Sequence, residues 1–419
     1  MRRRRLAAAL VAVSTVITMA SCGGSSSGGS DQNGGDQGNG TLTFFSWDSE
    51  QTMAPIIDEF EKQNPGIKVE FSSAPPVAEY ISTLQARILS GTAADVFAIA
   101  AENKTNLIDN GAVVDLTDEP FMAKLTQFNK DTYGKDGRSY GASISSWGGG
   151  IIYNKKLLAK AGVKEFPKSW DEFLALCAKL KDQGVKYPFL ESVQAMPIVV
   201  AAFVGGENAT SGGNLDKQIF DGSSTFAATW TEPLTRWSEL YTKGLAPKDV
   251  VGLTGDQVRD EFTSGRAAMI PDGPWDVSPI KKANPDLDFE MALVPGMSGP
   301  QPYLAGAASP GLAINAKAKN PEAAKKFIAF YTDAKSVAMY NKATNAITTT
   351  TDFKPVIDKS LNPIVEPVRA GQIYLPQIAW QRCQDALNLE ATAQLQQLVQ
   401  GKTSPGDAAA ALDTKLKGC

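Results

Sequence analysis

The residue that says most about chemistry is Trp275, at the end of the stretch Gly265–Asp276, which reads G-R-A-A-M-I-P-D-G-P-W-D. Ala267–Ile270 is an apolar run of strand length, and Pro271, Gly273 and Pro274 then stop any regular element. In an open α/β sheet, strand ends and the helix starts that follow them line the ligand crevice. A flat indole placed there can cover the C–H face of a ring whose rim carries hydroxyls, provided carboxylates, amides or arginines converge on that rim. The competing reading is an indole packed on the core, and the rest of the chain decides between them.

The chain has no histidine. That excludes Ser-His-Asp and Cys-His catalysis and His-ligated metals. Separately, no catalytic residue, metal or cofactor is expected. At 419 residues of ordinary globular composition it is too long for one core, and two domains are expected.

Arg2–Arg5 precede the apolar segment Leu6–Met19 and then Ala20, Ser21 and Cys22. The 14 apolar residues fall short of the roughly 20 that span a bilayer, and the order of charged, apolar and small residues is that of a signal peptide. Met19-Ala20-Ser21-Cys22 resembles a bacterial lipobox, which implies lipidation at Cys22 and an extracytoplasmic, membrane-anchored location. Gly23–Gly40 is Gly, Ser, Asn, Gln and Asp without an apolar residue, a flexible tether with a reach of roughly 20–25 Å. Loss of the four arginines takes the net charge from −4 to about −8, and nothing suggests nucleic acid. Disulfides are allowed in this compartment. Cys177 sits in a helical pattern and reads as a buried thiol, which favours Cys383 with Cys419, other pairings remaining open.

The elements that position Trp275 follow from periodicity. Leu42–Phe45 reads as a strand, Met53–Gln63 as a helix, Ile67–Phe71 as a strand, Tyr80 to Gly91 as a helix and Val96–Ile99 as a third strand. This is the βαβαβ pattern of a parallel sheet. Asp136-Gly137 marks a hairpin turn before a strand Ser139–Trp147, and Gly148-Gly149-Gly150 suggests a hinge or a close backbone approach. Ser169-Trp170-Asp171-Glu172 is a capping box, with Trp170 expected to staple its helix to the core. Thr225–Thr242 is helical with Trp230 and Trp237 on one face; Leu312–Asn315 is a strand, Pro321–Thr332 a helix capped by Asn320, and Ala408–Leu416 a helix. No repeat or membrane span is apparent after residue 22.

Several features in this order resemble the extracellular solute-binding proteins that feed ATP-driven importers, in their sugar-binding branch. They are Pro65-Gly66-Ile67-Lys68-Val69, Ala94-Asp95-Val96-Phe97, Tyr140-Gly141, Tyr153-Asn154-Lys155 before Ala161-Gly162, Ser169-Trp170-Asp171-Glu172-Phe173, Gly265-Arg266-Ala267-Ala268-Met269 with Gly273-Pro274-Trp275, and Asn320-Pro321-Glu322-Ala323-Ala324. The resemblance implies an α/β, two-lobed periplasmic-binding-protein-like fold (type II), with hinge-linked lobes and the ligand cleft between them. It implies crossings near 147–150, 305–309 and 357–367. Lobe one would be 41–147 plus 308–362, and lobe two 148–307 plus 363–419.

For the ligand site the resemblance implies Trp47, Asp48 and Glu50 after the first strand, Glu102 and Asn103 after the third, and Trp147 at the hinge. In lobe two it implies Glu191, Gln194 and Trp275, with Tyr303, Trp380 and Arg382 as further candidates. Asn103 stands where arginine is usual and Trp147 where a carboxylate is, so the ligand is not assumed to be maltose. Implied partners are a carbohydrate, permease subunits of an importer and the membrane through the lipid; the protein is expected to be a monomer. Two other readings remain: a polyamine or other small-solute binder of the same fold, and a secreted glycoside hydrolase using carboxylates such as Asp48, Glu102 and Glu191.

Overall fold

The computed structural model describes residues 40–419. The signal segment, Cys22 and all of the tether except Gly40 lie outside the described residues. Gly40 itself, expected to close the tether, opens the first strand.

The first sheet is built as the periodicity requires. Strand β1 (Gly40–Ser46), helix α1 (Glu50–Gln63), β2 (Ile67–Ser73), α2 (Val77–Ser90) and β3 (Val96–Ile99) alternate, and the strands pair in parallel in the order β2-β1-β3. Ser49 caps α1 by accepting from Thr52 N, and α2 ends at Gly91 in the left-handed region. Gly311–Ile314 adds antiparallel to β3, with Ala142–Ser143 beyond it. Phe44, Phe45, Phe60, Phe97 and Phe327 fill the core around this sheet.

The second sheet is organised on one ten-residue strand, Ser145–Asn154. It pairs with Ile347–Thr348, Leu304–Ala308, Met269–Asp272 and Phe289–Ala292, and Ile373–Tyr374 extends the sheet beyond Leu304–Ala308. A second apolar core, around Trp170, Phe173, Phe203, Trp230 and Trp237, covers it. Two sheets with two cores make two lobes. Trp170 is fully buried and donates Nε1 to Arg236 O at 2.8 Å, so it staples its helix as expected. Cys177 is a buried thiol, and Cys383 pairs with Cys419 with Cα atoms 6.0 Å apart.

The backbone passes between the sheets between Ser143 and Ser145 and again between Ala308 and Gly311. These crossings are tied together: Ser309 N donates to Ser145 O at 3.0 Å and Ser145 Oγ to Ser309 O at 2.7 Å. Fully buried Asn129 gathers them, donating Nδ2 to Ser143 O (3.0 Å), Ser145 O (3.2 Å) and Thr349 Oγ1 (2.8 Å) and accepting from Ser146 Oγ.

Two expectations change. The strand expected over Ser139–Trp147 is broken into Arg138–Ser139, Ala142–Ser143 and the start of Ser145–Asn154, because the chain leaves one sheet for the other there. The strand expected over Ala267–Ile270 runs Met269–Asp272; Ser145–Asn154 is the named strand it pairs with among the described residues, Leu190 N donates to Met269 O at 3.1 Å, and a strand at a sheet edge tolerates Pro271. The chain returns to the second sheet at Ile347–Thr348.

The glycine triplet lies inside a strand, and close approach explains it. A Cβ on Gly150 would stand 2.1 Å from Ala292 O, a backbone atom that cannot move aside. Gly150→Ala is therefore expected to lower stability by about 1–3 kcal/mol or more, read from urea midpoints. An unchanged midpoint would show that the strands can part at no cost.

Candidate functional site

In the order β2-β1-β3 the chain leaves β1 on one side and returns to β3 on the other. The crevice of such a sheet opens beyond the carboxyl ends of these two neighbours. Trp47-Asp48 follows β1, and Ala101-Glu102-Asn103 forms a short 3-10 turn after β3. Trp47 is half-buried, its ring edge-on to Tyr80 at 5.1 Å, and Tyr80 is itself pinned by its hydroxyl to Ala98 O at 2.7 Å.

Asp48 accepts from Ser46 Oγ at 3.2 Å and from Tyr340 OH at 3.4 Å. Burial outweighs these two bonds and pushes its carboxyl up to about 6. Burial also raises the Glu102 carboxyl, against the pull of its own backbone N–H. Two carboxyls whose charge burial disfavours thus follow the ends of β1 and β3, each able to accept from a hydroxyl.

The second wall comes from the crossing strand. Trp147 lies between the Asn129 network and the glycine triplet, half-buried, with its backbone opposite Ala307. The Trp275 ring meets it edge-on at 5.4 Å and remains 51% exposed, one of the few large apolar side chains left to solvent among the described residues. The Gly-Pro-Trp turn exists for this placement: a Cβ on Gly273 would stand 2.2 Å from the Trp275 ring, so only glycine lets the indole fold back over its own turn. The two walls meet through Asn345, which closes the helix carrying Tyr340 and donates to Ser278 Oγ, three residues past Trp275, at 3.1 Å.

At another edge, the turn after β3 meets the segment 376–385. Gln384 Nε2 donates to Ala101 O at 3.4 Å and to Gln377 O, and Asn106 Nδ2 donates to Asp385 Oδ2 at 2.7 Å. Asn103, Gln377 and Gln384 are almost wholly buried here. Both polar side-chain atoms of Asn103, and the Oε1 atoms of both glutamines, have no protein partner. Buried amides of this kind are normally satisfied, so a hydroxyl-bearing ligand or water fits beside them. Gln377 and Gln384 were not picked out from sequence, where nothing distinguishes them from the surface glutamines of the same region.

The other expected residues lie elsewhere. Glu191 is buried beside the second core, where its Oε1 accepts from Trp237 Nε1 at 2.8 Å and from Tyr241 OH at 2.5 Å, while its Oε2 is buried without a protein partner. Trp380, expected as a cleft aromatic, is fully buried against Trp230 and Phe226 and has no face free to stack. Arg382 is exposed, with its guanidinium over the Phe220 ring and one N–H on the Phe220 carbonyl at 3.0 Å. Tyr303 lines a separate cavity of about 600 Å³ with Phe203, Gly206, Met297 and Gln372, which none of the other candidates enters. Glu50 is exposed in the first turn of α1, and Gln194 is exposed near Glu191.

Two α/β sheets joined by paired crossings, with one exposed and two half-buried indoles and half-buried carboxyls at the strand ends beside them, define a two-lobed solute-binding fold. The chain belongs to the bacterial extracellular solute-binding protein family, whose model matches residues 46–338. It is 25% identical over 312 residues to the multiple sugar-binding protein of Streptococcus mutans, covering 72% of this chain and 73% of that one. It is also 25% identical over 340 residues to the diacetylchitobiose-binding protein of Streptomyces coelicolor, covering 78% and 77%. A solved family 1 extracellular solute-binding protein from Bifidobacterium longum subsp. infantis superposes with a TM-score of 0.78 at 31% identity, over 91% of this chain and 100% of that one.

The core position of Glu191 has a measurable signature. Burial raises its carboxyl from the ordinary 4.5 to about 7. Between those values the unfolded chain releases the proton and the folded chain keeps it, so stability falls as pH rises. Denaturant titration should show wild type losing stability relative to Glu191→Gln from about pH 4.5 to about pH 7, with the deficit persisting above. Parallel pH curves would mean Glu191 is solvated.

Proposed function

We propose that this chain captures a carbohydrate between its lobes and delivers it to the permease of an ABC-type importer. The observation that carries this reading is the solvent-exposed Trp275 face set against Trp147 at the crossing strand. A sugar ring stacks on such a face, while Asp48, Glu102 and the buried amide of Asn103 exchange hydrogen bonds with its hydroxyls. The family is one of solute-binding proteins, and relatives are named for multiple sugars, diacetylchitobiose and maltodextrin. Trp47 and Trp147 complete the aromatic set. Glu50 and Gln194, both exposed, are kept in this reading as candidates for the rim.

In this account the hinge runs through the paired crossings near 147 and 308, dividing the chain into lobes about as the resemblance implies. Closure brings the two walls onto the ligand, and the closed form is what the permease recognises. Cys22 carries a lipid that anchors the protein outside the cytoplasm, with Gly23 onward as tether. The chain acts as a monomer and catalyses nothing: its carboxyls bind hydroxyls rather than cleave a glycosidic bond.

Thermal unfolding of residues 40–419 against mono- and oligosaccharides, polyamines and ferric citrate tests the ligand class. A ligand at 100 times its dissociation constant adds about 2.7 kcal/mol, a rise of several degrees. A shift with one sugar series, and no new reducing ends on incubation, supports the proposal; a shift with polyamines alone, or release of reducing ends, overturns it. With that sugar, Trp275→Ala should weaken binding by about 2–4 kcal/mol in calorimetry. An unchanged dissociation constant would remove Trp275 from the site.

A further inference from the structure

Between the strand Ile373–Tyr374 and the helix Gln384–Gln400 the chain leaves the second core, touches the first and returns. Leu375 is buried in the first core and Ile378 packs against it, while Trp380 and Leu387 are back in the second. The dip meets the turn Ala101–Asn103 and the helix Lys104–Asp109, which follow β3 and give Ala101 and Leu107 to the first core. Both ends of the dip belong to the second lobe, so these contacts are contacts between lobes.

Hydrogen bonds fasten the dip there. Gln384 is 1% exposed, and its Nε2 donates to Ala101 O of the first lobe at 3.4 Å and to Gln377 O of the dip. One amide therefore ties the helix start, the dip and the turn after β3 together. Beside it Asp385 Oδ2 accepts from Asn106 Nδ2 at 2.7 Å, at the solvent edge. Cys383 presents both side chains: it precedes their helix with a φ of 57°, in the left-handed region that few non-glycine residues adopt, and is cross-linked to Cys419. Cys419 follows the helix Pro405–Lys417, whose Ala408, Ala409 and Leu412 lie in the second core, so the cross-link roots the helix start in the second lobe.

We propose that Gln384 and Asp385 form a latch that fastens the second lobe to the turn and helix after β3 when the clamp closes, and so sets how tightly the ligand is held. The bonds run from lobe to lobe, so the lobes cannot part here without breaking them. A few hydrogen bonds, one of them exposed, are worth little net, so the latch biases closure rather than locking it. A ligand that binds only the closed form has its affinity scaled by the closed fraction, and the latch acts through that fraction. Gln384, Asp385 and Asn106 are in this sense positioning residues. The inference rests on the clamp reading, and its test separates the two.

The experiment uses residues 40–419 with nitroxides at two exposed positions, Leu89→Cys on α2 of the first lobe and Thr242→Cys at the end of the helix Phe226–Thr242 of the second. Cys177 is buried and Cys383 is paired with Cys419, so neither competes for label. One readout needs no ligand: the distribution of distances between the labels, from pulsed electron paramagnetic resonance. The other is the dissociation constant for the sugar that gives the largest thermal shift. The labelled protein without sugar should show two distances, open and closed. Gln384→Ala should lower the closed-to-open ratio about tenfold and Asn106→Ala about threefold. Asp385→Leu should match Asn106→Ala, whereas Asp385→Asn keeps an acceptor for Asn106 and should restore the unsubstituted ratio. The dissociation constant should rise in the same order, by at most the same factors. Should Gln384→Ala fail to fold, the Asn106 and Asp385 series decides alone. A single open distance in the unsubstituted protein, a distribution untouched by these substitutions, or Asp385→Asn behaving as Asp385→Leu would overturn the latch. If the distances follow the latch while the dissociation constant does not, or if no sugar binds, the latch is upheld and the reading of a clamp closing on sugar fails.

Discussion

The structure depends on one crowded strand. Ser145–Asn154 hydrogen-bonds to four others, Ile347–Thr348 and Leu304–Ala308 toward its start, Met269–Asp272 and Phe289–Ala292 toward its end. Where these partners change over, backbones approach closely enough that Gly150 has no room for a Cβ. The same strand follows directly from the first sheet, so whatever fixes it fixes how the lobes are connected. The Asn129 amide and the Ser145–Ser309 pair do this with hydrogen bonds rather than side-chain bulk. A joint made of backbone and small residues can rotate without repacking a core.

The site follows from that strand. Trp147 is part of it, and Trp275 follows its edge neighbour Met269–Asp272, so the two indoles are placed by strand register rather than by a mobile loop. The first lobe presents the ends of β1 and β3, where sheet order alone opens a crevice. Near Trp275 and at this crevice, burial holds carboxyls at Asp48, Glu102 and Asp272 above their usual range.

Much of the fold was legible in the sequence because its signals are local. Hydrophobic runs gave β1 to β3 and their helices within a few residues, and Ser169 with Glu172 makes the expected capping box. Asp136 and Gly137 both take the positive φ their hairpin turn demands. Trp275 was legible too, since a tryptophan after strand, glycine and proline has few places to go. What stayed hidden depends on distant partners. Glu191 looks like any loop acid until Trp237 and Tyr241 arrive from a helix about fifty residues on, and Trp380 looks like a cleft aromatic until Trp230 and Phe226 cover it. Gln377, Gln384 and Asn106 carry no motif, and their roles appear only when the segments they meet are folded against them.

The central claim is a clamp, two lobes that close on a sugar about the paired crossings. Small-angle X-ray scattering of residues 40–419, with and without a saturating amount of the sugar that stabilises the protein most, tests it directly. The account predicts a smaller radius of gyration in the bound state, with the two crossings acting as the hinge. An unchanged radius at full saturation would mean that the ligand binds a preformed surface and that the crossing strand is a brace, not a hinge.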